Sequence, residues 1–156
     1  MDTQAFQNAL DALETQDYRA AERAFKLALN SIDESDAQHN IVQSYYGLAQ
    51  VLNADSNGLL FCRDAASNED SNGDVLLNLA AAEFHSDNRK RAIEAVQQGL
   101  KIDPNHTRLN EACARLDCRR KCCIAFLSRA HKLNRLLGRL RRRPVQPELT
   151  VHQLLY

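Results

Sequence analysis

The order of small and large apolar residues in Ala21-x3-Phe25-x2-Ala28-Leu29 returns seventy-one residues later as Ala92-x3-Val96-x2-Gly99-Leu100. A period near half that separation is the signature of stacked helix pairs. One pair alone leaves an apolar face open and a neighbour closes it, so the spacing predicts a short solenoid whose usual product is a binding surface. At 156 residues and 44% apolar content the chain is about one domain long and can bury a core. Trp is absent and Leu and Ala lead the apolar set, which suits close-packed helices rather than sheets. The expected fold class is all-α.

Along the chain, apolar stripes place helices over residues 2–14 (Phe6, Ala9, Leu10, Leu13), 18–32 (Ala21, Phe25, Ala28, Leu29, Ile32) and 37–53 (Ile41, Tyr45, Leu48, Ala49, Leu52). The polar Thr15-Gln16-Asp17 forms a short turn, and so brief a connection makes its two helices antiparallel neighbours. Leu59 to Ala66 is apolar enough for a helix that the polar run from Ser67 to Asp74 cuts short. Asp74 is the expected cap of a helix carrying Leu76, Leu79, Ala80 and Phe84; after Ser86-Asp87-Asn88 another carries Ala92, Ile93, Val96 and Leu100. Pro104 ends it near Ile102, because the residue before proline avoids helical geometry. Thr107 is the expected cap of a helix with Leu109, Ala112, Cys113 and Leu116 that closes the stack.

These residues resemble the tetratricopeptide repeat family over roughly residues 3–118. The third unit carries the resemblance best, through Leu76-x2-Leu79-Ala80, Phe84, Ala92-x3-Val96-x2-Gly99-Leu100 and Asp103-Pro104. The first unit matches through Ala21, Phe25, Ala28 and Leu29 without a proline terminator. The middle unit matches through Tyr45, Leu48 and Ala49, then reverses the small and large positions at Phe61 and Ala65 and places Asn68 and Glu69 where the family has apolar residues. The resemblance implies a right-handed α-solenoid of three antiparallel helix pairs plus a capping helix. Its concave side, lined by the first helix of each pair, holds a peptide or helix. Carried onto this sequence, the groove positions are Gln43, Tyr46, Gln50 and Asn53 in the middle unit and Leu77, Asn78, Ala81, Phe84 and His85 in the third. Family members that grip a chaperone's terminal carboxylate use Lys and Arg on these helices. Residues 37–53 and 74–86 contain neither, which argues against that client class.

A zero net charge hides a division, with ten Lys/Arg against nineteen Asp/Glu in residues 1–117 and ten against one in residues 118–156. The tail is read as a basic amphipathic C-terminal helix over 119–143, with Arg129, Lys132, Arg135 and Arg139 beside a Leu stripe and Ser128 as a candidate cap. Residues 144–156, with Pro144 and Pro147, are expected to be extended, their last residues docking or fraying. Four readings of the tail stay open: a helix packed back on the acidic repeats, a surface for anionic membrane, a nucleic-acid contact, or a protein contact. Scarce aromatic residues weigh against nucleic acid.

Five cysteines, Cys62, Cys113, Cys118, Cys122 and Cys123, lack both disulfide-framework spacing and the paired C-x2-C pattern of zinc sites. They read as reduced thiols, with metal binding and redox or lipid modification as alternatives. The polar start Met1-Asp2-Thr3-Gln4 is unlike a signal peptide, and the longest apolar run, Cys122–Leu127, is far short of the roughly 20 residues that span a bilayer. A cytoplasmic location follows as the expectation. His39, His85, His106, His131 and His152 are scattered, read as surface residues, and stand in no motif with a nucleophile. The isolated glycines form no phosphate loop. The chain is expected to be a non-catalytic, cofactor-free, metal-free adaptor or scaffold for protein binding through its repeats, open to homodimerisation through an uncapped end. The alternative is a membrane or nucleic-acid binder acting through its basic helix and regulated by the repeats.

Overall fold

The computed structural model describes residues 3–116 and 149–155. Among them are eight helices and no strand: α1 Thr3–Glu14, α2 Tyr18–Asn30, α3 His39–Leu52, α4 Gly58–Ser67, α5 Gly73–His85, α6 Arg89–Ile102, α7 Thr107–Arg115 and α8 Val151–Leu155. The basic helix expected over 119–143, with Arg129, Lys132, Arg135 and Arg139, lies outside the described residues, as do Cys118, Cys122, Cys123 and Ser128.

Helices adjacent in sequence pack on each other, and α3 and α5 also meet directly. That contact explains why these two are buried on nearly every side: residues 42–51 of α3 and most of 75–83 of α5 are covered. A helix with neighbours all round cannot keep a polar face. The outer helices show one-sided burial instead. Only Ala21, Phe25 and Ala28 of α2 and Ala92, Ala95, Val96 and Gly99 of α6 are buried. The first three helices are joined by a ring cluster. Phe6 stands edge-on to Phe25 and to Tyr45, both at 5.7 Å, and Phe25 stacks on Tyr45 at 5.5 Å. Offset stacked and edge-on arrangements suit the ring quadrupoles and add to the area buried.

Two glycines mark a close helix approach. A Cβ on Gly47 would lie 2.6 Å from the Gly58 carbonyl oxygen, and one on Gly58 would strike the Gly47 carbonyl in turn. Backbone meets backbone where α3 crosses the start of α4, so neither position has room for any side chain.

The turns after α1, α3 and α5 are built alike. In each, a left-handed residue (Gln16, φ 64°; Ala54, φ 66°; Asp87, φ 59°) follows the helix end. Asp17 N–H donates to Ala12, Asp55 N–H to Gln50 and Asn88 N–H to Glu83, all at 2.9 Å. Spanning three residues instead of five, the Gln16, Ala54 and Asp87 N–H groups donate to Leu13, Val51 and Phe84, all at 3.1 Å. This paired arrangement satisfies carbonyls that the helix end leaves bare.

Two caps differ from expectation. Asn72, not Asp74, caps α5, its Oδ1 accepting from Asp74 N–H at 2.8 Å. His106, not Thr107, caps α7, its Nδ1 accepting from Leu109 N–H at 3.2 Å. Pro104 acts as expected: Asp103 is extended (φ −124°, ψ 92°) and α6 stops at Ile102. Glu69, out of place as an apolar repeat position, sits in the loop after α4 and accepts from Ser71 N–H (3.0 Å), Ser71 Oγ (2.6 Å) and Asn72 N–H (3.1 Å). Burial works to raise its pKa, but these bonds together with Asn40 outweigh it and hold the carboxyl below its ordinary value.

Residues 151–155 are helical rather than extended. Thr150 and Gln153 form a reciprocal cap, Gln153 Oε1 accepting from Thr150 N–H at 3.1 Å and Thr150 Oγ1 from Gln153 N–H at 3.3 Å. Leu149 and Leu154, the residues on either side of that cap, both join the main core cluster. A capping box with flanking apolar residues is a complete helix-start signal.

Candidate functional site

Two places gather functional side chains: a polar chain running through the interior and a cleft at the helix ends.

The polar chain starts at Ser44, whose hydroxyl donates to the Ile41 carbonyl at 2.7 Å and accepts from Asn78 Nδ2 at 3.0 Å. Tyr45 lies in hydrogen-bonding reach of Asn78 and Arg108. Arg108 donates to Asp74 Oδ1 at 2.5 Å, and the same oxygen lies 3.1 Å from His106 Nε2. His106 is therefore no surface residue; its side chain is only 15% exposed. Since Nδ1 accepts from the Leu109 amide, Nε2 carries the proton and donates to Asp74. Both ring nitrogens are thus engaged, leaving none to take a substrate proton. Burial first, and the Asp74 charge second, push the Tyr45 hydroxyl above its ordinary pKa, making it a poorer acid. The chain of contacts binds α3, α5 and α7 together and has the chemistry of a clasp.

The cleft is about 830 Å³ and is lined by Gln16, Tyr18, Leu52, Phe84, His85, Asp87, Arg89 and residues 149–153. Its wall is the row of ends of α1, α3 and α5, including two of the three left-handed residues, Gln16 and Asp87. Tyr18 and Phe84 are half-buried aromatics on this wall. Arg89 Nη2 donates to the Leu116 carbonyl at 2.8 Å, fixing the end of α7 beside the cleft.

The groove positions carried over in the sequence reading divide. Phe84 and His85 line the cleft, whereas six others, Gln43, Tyr46, Gln50, Leu77, Asn78 and Ala81, are buried. Gln43 Nε2 donates to Asp64 at 2.8 Å, Gln50 Nε2 to Tyr46 Oη at 3.0 Å, and exposed Asn53 Nδ2 to Glu22 at 2.6 Å. Tyr46 stands edge-on to Phe61 at 5.2 Å. Leu77 and Ala81 belong to the apolar cluster that also holds Leu154 and Leu155, and α8 packs on α5 and α7. Those six positions are therefore closed off within the fold.

Leu154 is 1% and Leu155 5% exposed.

Among the described residues, no three His, Cys, Asp or Glu side chains are grouped to hold a metal ion. None of the described helices is long and apolar enough to cross a membrane. Cys62 is fully buried between α3 and α4, and Cys113 is partly exposed on α7. No family model matches the chain, and no curated protein matches it.

Proposed function

We propose that this chain is a non-catalytic binding module of tetratricopeptide-repeat type, a short right-handed solenoid of antiparallel helix pairs that takes a segment of a partner protein in the cleft at its helix ends, since most concave-side positions are buried. The observation that carries the reading is the cleft at the ends of α1, α3 and α5, with the aromatic pair Tyr18 and Phe84 on its wall and an apolar helix already seated at its edge. The like-built turns after those three helices support a repeated unit. The engaged His106 and raised Tyr45 speak for clasp rather than catalysis. The test is affinity capture from the native host with the full chain and with Tyr18→Ala/Phe84→Ala, folding checked by circular dichroism. Loss of a specific partner in the folded variant is expected; an unchanged set of partners refutes the groove.

The charge division at Cys118 favours a second reading, in which residues 119–143 meet an anionic membrane or nucleic acid. Replacing Arg129, Lys132, Arg135 and Arg139 by Glu in the full chain should then abolish sedimentation with anionic liposomes or retention on nucleic acid at low salt. Equal binding by both proteins disposes of that reading.

A further inference from the structure

We infer that the face of α5 and α7 beneath Leu154 and Leu155 is an exchangeable receptor for a short self-capped helix, and that α8 is its resident occupant, displaced by a partner segment of the same pattern. The inference rests on the peptide-binding reading above and specifies the ligand. The resident defines the chemistry: apolar residues at Leu149, Val151, Leu154 and Leu155, with Thr150 as cap and Gln153 closing the capping box. Val151, Leu154 and Leu155 stand at i, i+3 and i+4, the anchor spacing of a helix laid in an apolar groove. A helix of five residues is far below the length that is stable alone in water, so the seat holds it rather than the reverse. On the receptor side, Leu77, Ala81 and Phe84 follow one another at i, i+4 and i+7 along α5. Phe84 borders the cleft together with residues 149–153, so the seat runs on into open space that a longer helix could fill.

Because the resident is covalently attached, its rebinding is unimolecular, and a free competitor meets a raised threshold that vanishes when the resident is disabled. The probe is a fluorescein-labelled peptide of residues 148–156, titrated by anisotropy into the full chain and into full-length Leu154→Asp/Leu155→Asp. Binding to the released variant at least tenfold tighter than to the wild type is expected. A peptide carrying the same two Asp substitutions should not bind, and a Thr150→Ala/Gln153→Ala peptide should bind several-fold more weakly than the native one.

Equal affinity for the two proteins, or no binding by a released variant that keeps its helical circular dichroism, overturns the inference. So does a wild-type dimer that becomes monomeric on Leu154→Asp/Leu155→Asp, which assigns the seat to a second copy. Should the double variant not fold, Leu155→Ala in the full chain serves instead: a threefold rise in peptide affinity supports the seat and no rise overturns it. The assay needs no cellular partner, which separates the two proposals. Peptide binding with no partner captured sinks the proposed function, whereas a captured partner that the peptide never displaces sinks the seat.

Discussion

Gly47→Ala opposes a small local gain to a larger packing loss. In a free helix the change favours the folded state by about 1 kcal/mol. Here the new methyl would sit 2.6 Å from the Gly58 carbonyl oxygen and 2.9 Å from both the amide nitrogen and the sulfur of Cys62, where ordinary contact begins at 3.4 Å. Two of the three obstacles are main chain, so relief requires α3 and α4 to part by roughly 0.8 Å, a gap that forfeits a quarter to a half of each contact's dispersion energy along the seam. Overpacking of this kind costs about 3 kcal/mol at the upper end of its range. The net loss expected is about 2 kcal/mol, or a fall in Tm of about 4–8 °C for a chain of this size. Gly99→Ala is the control, since its methyl would meet the tip of Leu109 at 2.6 Å and Leu76 Cβ at 3.3 Å, mostly a side chain that can swing aside. Thermal and urea unfolding of both variants tests the ranking. A Gly47→Ala protein that melts at or above the wild type, or a Gly99→Ala protein that falls as far, refutes the reasoning.

Ala54→Gly should stabilise the fold by about 0.5 kcal/mol, because a left-handed alanine costs about 1–2 kcal/mol and glycine's extra freedom when unfolded returns only part of that; urea midpoints check it. His106→Ala removes both the cap of α7 and a partner of Asp74 and should cost about 1–2 kcal/mol. His106→Asn, which restores a capping oxygen alone, should recover about half of that in the same measurement. Burial, and after it the charge of Glu83, pushes the Cys62 thiol far above its ordinary pKa of 9.0. Below pH 9 the thiol is protonated in both states and contributes no slope. Above it only the unfolded chain ionises, and stability falls by up to about 1.4 kcal/mol per pH unit. Unfolding curves from pH 8 to 10.5 should show that decline in the wild type and a shallower one in Cys62→Ala.

What could be read from the sequence followed from periodicity. The stripes of α1, α2, α6 and α7 survive as buried faces because each of these helices packs mainly from one side, and Pro104 stops α6 for a local reason. α8 escaped because five residues hold no period; its signal was the capping box Thr150 to Gln153 flanked by Leu149 and Leu154. The groove was the harder failure. Gln43, Gln50 and Asn78 read as surface residues, yet Gln43 and Asn78 have partners, Asp64 and Ser44, on another helix, and Gln50 bonds Tyr46 within its own. No local pattern announces such pairs. His106 misled for the same reason, since Asp74 lies thirty-two positions away. Gly47 and Gly58 carry no mark of each other in the sequence, and only their mutual contact shows why no larger residue stands there.

The three turns share one main-chain hydrogen-bond plan around a left-handed residue, to which Thr15, Asp55 and Ser86 add side-chain bonds of their own. Framed by the same main-chain pair, the bends are interchangeable in outline. A grafted hairpin bend could pass from one pair to the next, and the amino acids there are left at liberty to drift toward whatever the neighbouring cleft is asked to hold.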